Sequence, residues 1–494
     1  MNKLGFKNFR RFIDFPALEL GDINILVGAN NSGKSTFVKA AMLVMNFLKN
    51  AKAVKAGELP KFYFSGILHV NIDTFDRALC DDATDNTITF STTIEDVFDS
   101  VSFDIVVHRD ADKGDRSYGN VEQIICTLEK KDEDEIKTVM FQLTFDFEHK
   151  QTIFNQSMDK EDAQPITLPL NCDADKTDHL ILSLLDDLIS YADENDTEEK
   201  NMNLMNRRAF VSPQEIEEIK NSIDMIDIQR SSIAQALVWP IEYIYAHGAS
   251  QSPLFDTKNL NDVNAKVVEQ FYKISGYRPV KDFVSKWLKE FEVGSNFSVD
   301  CIEGSAYKVS IKKGKHKTNL GDMGMGSIQI VILIMHIAEI INELGGFYDS
   351  NLNNESIIFI EEPEQNLHPA LQSKLADFFA DVVANFGGRY IIETHSEYLV
   401  RRSQVLVALD NMAREKTDTL CDTSMRSMGE FKEIREHKVE KPLFEVFSVT
   451  YFDKDGQRSM KYQKSGRFDQ SFGPGFFDEA GKSNMRLIAI RKGE

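Results

Sequence analysis

The 494-residue chain is short of cysteine, of basic charge and of long apolar runs, and each shortage argues against a class of protein. Its five cysteines (Cys80, Cys126, Cys172, Cys301 and Cys421) are scattered, odd in number and never paired as C-x-x-C. That argues against a disulfide framework or a zinc knuckle and fits a reducing compartment. Basic residues number 57 against 78 acidic, a formal charge of −21. A chain coated in basic surface for nucleic acid or anionic lipid is therefore not expected, although a local basic groove is compatible with the count. The imbalance is uneven. From Ser396 to Glu494 there are 18 basic and 16 acidic residues, so the acidic excess lies wholly in the first 395. The longest apolar run, Ile330 to Met335, is bounded by Gln329 and His336, far short of the roughly 20 residues that a membrane span needs. The opening MNKLGFKNFRRF has no apolar stretch ahead of a small-residue cleavage site. No apolar spacing holds a 3.5-residue period over several heptads, which argues against a long coiled-coil arm. The expectation is a soluble cytoplasmic protein with no membrane partner. At 42% hydrophobic and 10% aromatic the chain can bury a substantial core. Its length corresponds to roughly three domain-sized units.

What is present is an ordered alternation of strand and helix signals. Ala17–Leu20 and Ile23–Val27 are short apolar runs split by a Gly-Asp turn, and Ser35–Leu48 reads as a helix. From about Asn86 to Phe154 the runs are rich in Thr, Val, Ile and Phe and partly alternate, which predicts an antiparallel sheet. From about Asp178 to Gln235 the pattern is helical and acidic, read as a solvated face. A second helical stretch covers about Asn261–Phe291, and short strands follow near Asn296–Ile311. A long apolar helix runs to about Leu344. SIIFIEE and RYIIET read as buried parallel strands on either side of a helix over His368–Phe386.

Gly28-Ala-Asn30-Asn31-Ser32-Gly33-Lys34-Ser35 fits G-x-x-x-x-G-K-[ST] between a buried strand and a helix, where a phosphate loop belongs. Glycines let the backbone curl so that several N–H groups face a phosphate, and the helix start adds the positive end of its dipole. Lys34 would reach the terminal phosphates and Ser35 would hold Mg2+. Downstream, Ser356-Ile-Ile-Phe-Ile-Glu361-Glu362 is a buried strand ending in two carboxylates. Successive residues point to opposite sides, so the pair can divide the work: Glu361 on the metal, Glu362 on the attacking water. The next strand ends in Glu393-Thr394-His395-Ser396, and His395 could hold that water in line. The segment Asn319-Leu-Gly-Asp-Met-Gly324-Met-Gly326-Ser327-Ile-Gln leads into a helix with Ser327 as the candidate N-cap, a second anion-binding end. One nucleotide does not need two cradles in one chain. Two facing copies would use one from each.

GANNSGKST, LGDMGMGS, IIFIEEPEQNLHP and IIETHSEYL, in that order, resemble the ABC/SMC-like ATPases of prokaryotic genome-defence systems, relatives of the Rad-fifty and overcoming-lysogenization-defect heads. The opening FKNFRRFIDF is similar to the same group. The resemblance implies an α/β ABC-type ATPase head, a P-loop NTPase split between the chain ends, with an antiparallel β subdomain and a helical insertion. It implies two heads enclosing two ATP molecules with Mg2+. By motif matching, Lys34, Ser35 and Thr36 would be Walker A, and Gly324, Gly326 and Ser327 the signature loop. Glu361 and Glu362 would be Walker B, Asn366 and His368 would fall in the D-loop, and His395 would be the switch histidine. Two positions depart from the wider pattern. The signature is not LSGGQ, and Glu361 stands where Asp is usual, a longer side chain that would slow turnover. Gln251 is a weak Q-loop candidate.

The expected organisation is 1–50 as the N-terminal half of the head, 51–175 as a β-rich lobe and 176–295 as a helical acidic insertion. Residues 296–400 would be the second half of the head, and 401–494 a small α+β cap or partner-binding piece. Asp453-Lys-Asp455-Gly reads as a hairpin turn better than as a Toprim metal site, and Lys461, Lys464 and Arg467 as a solvated hairpin. By resemblance the Septu-type ATPases, partnered by an HNH nuclease, and the PARIS-type ATPases, which restrain a Toprim effector, are nearest. The expected function is an ABC-type ATPase of antiphage defence, a homodimer or higher homo-oligomer that controls a separate effector nuclease, with DNA as an open further partner. The alternatives are a self-contained nuclease, an ATP-gated scaffold, and a repair or recombination ATPase.

Overall fold

Two kinds of strand sequence build two kinds of sheet. The computed structural model describes residues 1–54, 58–67, 70, 72–95, 99–110, 116–131, 137–156, 165–170, 179–186, 241–245, 252–259, 264–348, 356–418, 441–454 and 456–473. The chain divides into unit 1 (Met1–Leu20 and Ser35–Trp239) and unit 2 (Gly21–Lys34 and Pro240–Glu494).

Unit 1 carries an antiparallel sheet. Its strands are β1 (Lys3–Phe9), β2 (Phe12–Glu19), β4 (Lys61–Tyr63), β5 (Thr87–Glu95), β6 (Asp99–His108), β7 (Tyr118–Lys131), β8 (Lys137–Asp146), β9 (Gln151–Gln156) and β10 (Ile166–Pro169). They run in the order β10-β9-β8-β7-β6-β5-β1-β2, with β4 also on β7. In β5 the residues alternate strictly between buried and part-exposed, as one covered face requires. Phenylalanines fill that face: Phe6 stacks on Phe15 at 4.5 Å between centroids, and Phe62 on Phe90 at 4.9 Å. The sheet expected between Asn86 and Phe154 is present but wider. β1 carries little local strand signal, because its apolar residues are interrupted by Gly5, Lys7 and Asn8. Helix α1 (Lys34–Asn50) also belongs to this unit from Ser35 onward. The acidic helical stretch expected over 178–235 lies almost wholly outside the described residues, as does Gln251.

Unit 2 is built on a six-stranded sheet. Strands β3 (Ile23–Gly28), β11 (Ile241–Tyr245), β16 (Ile357–Glu361), β17 (Arg389–Glu393), β18 (Phe447–Asp453) and β19 (Gly456–Met460) lie in the order β11-β16-β17-β3-β18-β19. The first five are parallel and only β19 turns back. All six residues of β3 are buried, as a parallel strand covered on both faces demands. A second sheet of β12 (Phe255–Asp256), β13 (Asn296–Ile302), β14 (Ala306–Lys313) and β15 (His316–Asn319) is antiparallel.

The helices of unit 2 include α2 (Ala265–Ile274), α3 (Arg278–Glu290), α4 (Met325–Glu343), α5 (Pro369–Phe386) and α6 (Glu397–Asp418). Helix α4 is long and apolar enough to cross a membrane, but its most apolar stretch is 67% buried inside the protein, the mark of a core helix. Helix α5 starts at Pro369, where a missing N–H costs nothing, and ends at Gly387, whose φ of 71° stops it. Its buried Asp381 accepts from Trp287 Nε1 at 3.1 Å and Lys286 Nζ at 2.7 Å.

The expected boundary at residue 400 does not hold in this sheet. β18 pairs with β3 over Phe447–Phe452, so the segment read as a separate cap completes the central sheet. The Asp453 turn is the hairpin expected, with Asp453 opposite Gly456.

Candidate functional site

In a parallel sheet the loops that leave the carboxyl ends of the strands share one edge, and ligand sites form there. The register puts three chemistry-bearing ends level: Glu361 lies opposite Glu393, and Glu393 opposite Leu26, two residues before the phosphate loop. Gly28 begins that loop with φ 148°, and a Cβ there would sit 2.1 Å from the carbonyl oxygen of Phe452 on β18. Only glycine fits so close a strand. Asn31 (φ 57°) and Gly33 (φ 111°) continue the curl. Asn30 and Asn31 are exposed, whereas Ser32, Gly33 and Lys34 are buried.

The Lys34 ammonium donates to the carbonyl oxygens of Gly28 and Ala29 at 3.1 and 3.0 Å. Burial lowers its pKa, while Glu393, Glu362 and Glu364 pull it back up. The hydroxyl of Ser32 is buried with no hydrogen-bond partner. A buried polar group without a partner is rare, and inside a glycine-curled loop it suits a phosphate oxygen. Ser35 (exposed) and Thr36 follow as the first turn of α1, in unit 1.

The two carboxylates engage different partners. Glu361 ends β16, where Tyr243 Oη donates to its Oε2 at 2.5 Å. Glu362 leaves the strand with φ 44°, and its N–H donates to the Glu393 carbonyl at 2.8 Å. Its Oε2 accepts from Gln365 Nε2 at 2.6 Å, and its Oε1 lies 3.5 Å from His395 Nε2. Burial and the nearby Lys34 lower the His395 pKa, against Glu362, so at neutral pH the ring is a neutral donor or acceptor.

Sequence reasoning missed Glu364, two residues beyond the chosen pair. It is buried, its Oε1 accepts from the His395 backbone N–H at 2.6 Å, and its Oε2 has no partner. Burial raises its pKa. The third carboxylate of IEEPE was its only visible signal.

At the glycine-rich segment the N-cap is Gly324, with no side-chain cap bond, and not Ser327. Ser327 sits inside the first turn of α4, its N–H donating to the Gly324 carbonyl at 2.9 Å. A cap must have non-helical backbone, which Gly324 has (ψ 150°). A Cβ on Gly326 would lie 2.4 Å from the Asn366 carbonyl oxygen. The Asn366 side chain donates to Gln329 Oε1 at 3.0 Å, and His368 caps α5 by accepting from Ala370 N–H. The start of α4 and the 366–368 turn thus form one contact.

No group of three or more His, Cys, Asp or Glu among the described residues could hold a metal by itself. A nucleotide-borne Mg2+ needs only one or two protein oxygens beside its phosphates and waters. Glu361, at the end of β16, offers an oxygen of that kind. Asp453 pairs with Arg458 at 3.1 Å, and Asp455 lies outside the described residues. Lys464 faces Glu415 at 3.5 Å on the surface.

Residues 1–400 match the model of a family described as the AAA ATPase domain. No curated protein sequence matches the chain. Similar solved structures include an SMC head bound to the C-terminal winged-helix domain of ScpA, at 11% identity, covering 81% of this chain and 91% of that one, TM-score 0.36. The SMC head domain from Thermotoga maritima is similar at 10% identity over 81% and 91%, TM-score 0.32. An Smc head with an extended coiled coil, bound to the C-terminal domain of ScpA derived from Pyrococcus furiosus, gives 10% over 99% and 99%, TM-score 0.31.

Proposed function

The chain belongs to the AAA ATPase domain family, and on that premise we propose that it is an ABC-type ATPase that hydrolyses ATP between two copies of itself. The observation that supports this reading is the shared edge of the parallel sheet, where Glu362 acts on both Lys34 and His395 and Glu361 ends the strand beside Glu393. Lys34 and the backbone of Gly28 to Gly33 bind the phosphates, joined by Asn30, Asn31, the unpartnered Ser32 hydroxyl and Thr36. Glu361 would hold Mg2+, which when bound would supply charge neutralisation on the phosphate oxygens. Glu362 accepts a proton from the attacking water. Gln365 fixes one oxygen of that carboxylate, and the neutral His395 steadies the other from 3.5 Å. Gly324, Gly326 and Ser327 open a helix whose N-terminus would receive the terminal phosphate bound by the other copy.

Glu362→Gln keeps the shape but removes the base. Its turnover should fall about 10²- to 10⁴-fold, and ATP should trap an assembly of two copies in size-exclusion chromatography with light scattering. Normal hydrolysis by this variant would overturn the role of Glu362.

The downstream role is control of a separate effector, a nuclease of HNH or Toprim type, in antiphage defence. It is supported by the motif order and by the place of Asp453 at the hairpin between β18 and β19, opposite Gly456. Purification of the tagged chain expressed from its native operon, read by intact mass, tests it. A stoichiometric second protein with nuclease motifs is expected, and recovery of this chain alone would sink the two-component reading.

A further inference from the structure

Glu361 is one methylene longer than the aspartate usual at this position in the ATPases it resembles. That adds a rotatable bond to a group that must hold still. The strand beside it supplies a restraint. β11 runs parallel to β16 with Tyr243 opposite Phe359 and Ile244 opposite Ile360. From there the Tyr243 hydroxyl reaches along the strand and donates to Glu361 Oε2 at 2.5 Å. A hydrogen bond to a carboxylate is among the stronger ones, and it engages one oxygen while leaving Oε1 for a ligand.

We propose that Tyr243 is a positioning residue that locks the Glu361 carboxylate, so that the long side chain holds a divalent cation with a single oriented oxygen. The inference rests on the reading of Glu361 as the Mg2+ ligand. Partners that orient a metal ligand typically contribute 10- to 100-fold to metal affinity. Removing the hydroxyl should therefore weaken the site without touching the phosphate loop.

The experiment is equilibrium binding of a fluorescent ATP analogue to the full-length chain, titrated with Mg2+. Tyr243→Phe keeps the ring and should raise the Mg2+ midpoint about tenfold, with binding in EDTA unchanged. Glu361→Asp cuts the link from the other side, because the shorter carboxylate no longer reaches the hydroxyl. Adding Tyr243→Phe to Glu361→Asp should then change nothing further, the non-additivity expected of a touching pair. Glu361→Gln separates the two levels. If it abolishes the Mg2+ dependence while Tyr243→Phe stays within about twofold of the parent, Glu361 is the ligand and the role of Tyr243 is refuted. If neither variant moves the midpoint, the metal role of Glu361 fails and the inference fails with it.

Discussion

The antiparallel sheet of unit 1 and the parallel sheet of unit 2 divide the chain between two ways of using a strand. In β5 every second residue is buried, so half of the strand is free to vary. In β3 every residue is buried, and β17 has only its first residue part-exposed. A sheet covered on both faces has no face left for chemistry, and function moves to the loops at its carboxyl edge. The lesson is that substitutions in unit 2 should separate sharply into those that unfold and those that inactivate.

The most severe expected effect tests the strands themselves. Ile391 and Ile392 are adjacent and both fully buried, so aspartate at either should cost more than about 4 kcal/mol by stranding an unpaired charge. On β5, Phe90→Asp should be equally severe, whereas its neighbour Ser91→Asp should cost about 1 kcal/mol or less. Urea denaturation of the four variants measures this. A tolerated Ile391→Asp would break the comparison.

The edge is tested next. Glu364→Ala frees the backbone of His395 and should lower turnover about 10- to 100-fold through misplacement. The melting curve should move little, and Glu364→Gln, which keeps the acceptor, should restore most of the rate. If Gln and Ala are equally slow, the carboxylate has a role other than holding His395.

The smallest effect is a pH slope. Burial pushes His336 on α4 down to about 4, whereas the unfolded chain takes up this proton near the ordinary 6.5. Between those values the unfolded state binds more protons, so stability is full above about 6.5 and falls as pH drops towards 4. His336→Leu should flatten that slope in urea midpoints taken at pH 7, 6 and 5. In unit 1 His179 is also lowered by burial, but the Leu48 carbonyl opposes the shift, so replacing it should change the slope less.

Where a signal was local, it was legible. The phosphate loop, the SIIFIEE and RYIIET strands, the helix between them and the Asp453 turn each declare themselves within a few residues. What was missed depends on distant partners. Phe447 pairs with Ile23, more than 400 residues away, so nothing near 447 marks β18 as part of the central sheet. Tyr243 gains meaning only because β11 lies beside β16, and IEYIY alone says nothing of Glu361. Glu364 has no local signal of its own beside Glu361 and Glu362, because its contact is to the backbone of His395, 31 residues on. The cap at Gly324 was misread because serine is the commoner cap, and the choice was settled by backbone angles that composition does not encode.

The close approach of Gly326 to the Asn366 carbonyl has a consequence for genetics. The obstructing atom is backbone, so no side-chain change at 366 can make room for a larger residue at 326. A defect introduced at 326 should therefore lack local suppressors. Revertants should either restore glycine or map to residues that let the whole turn after Glu362 shift, which would mark the segment that moves as one body with the start of the helix.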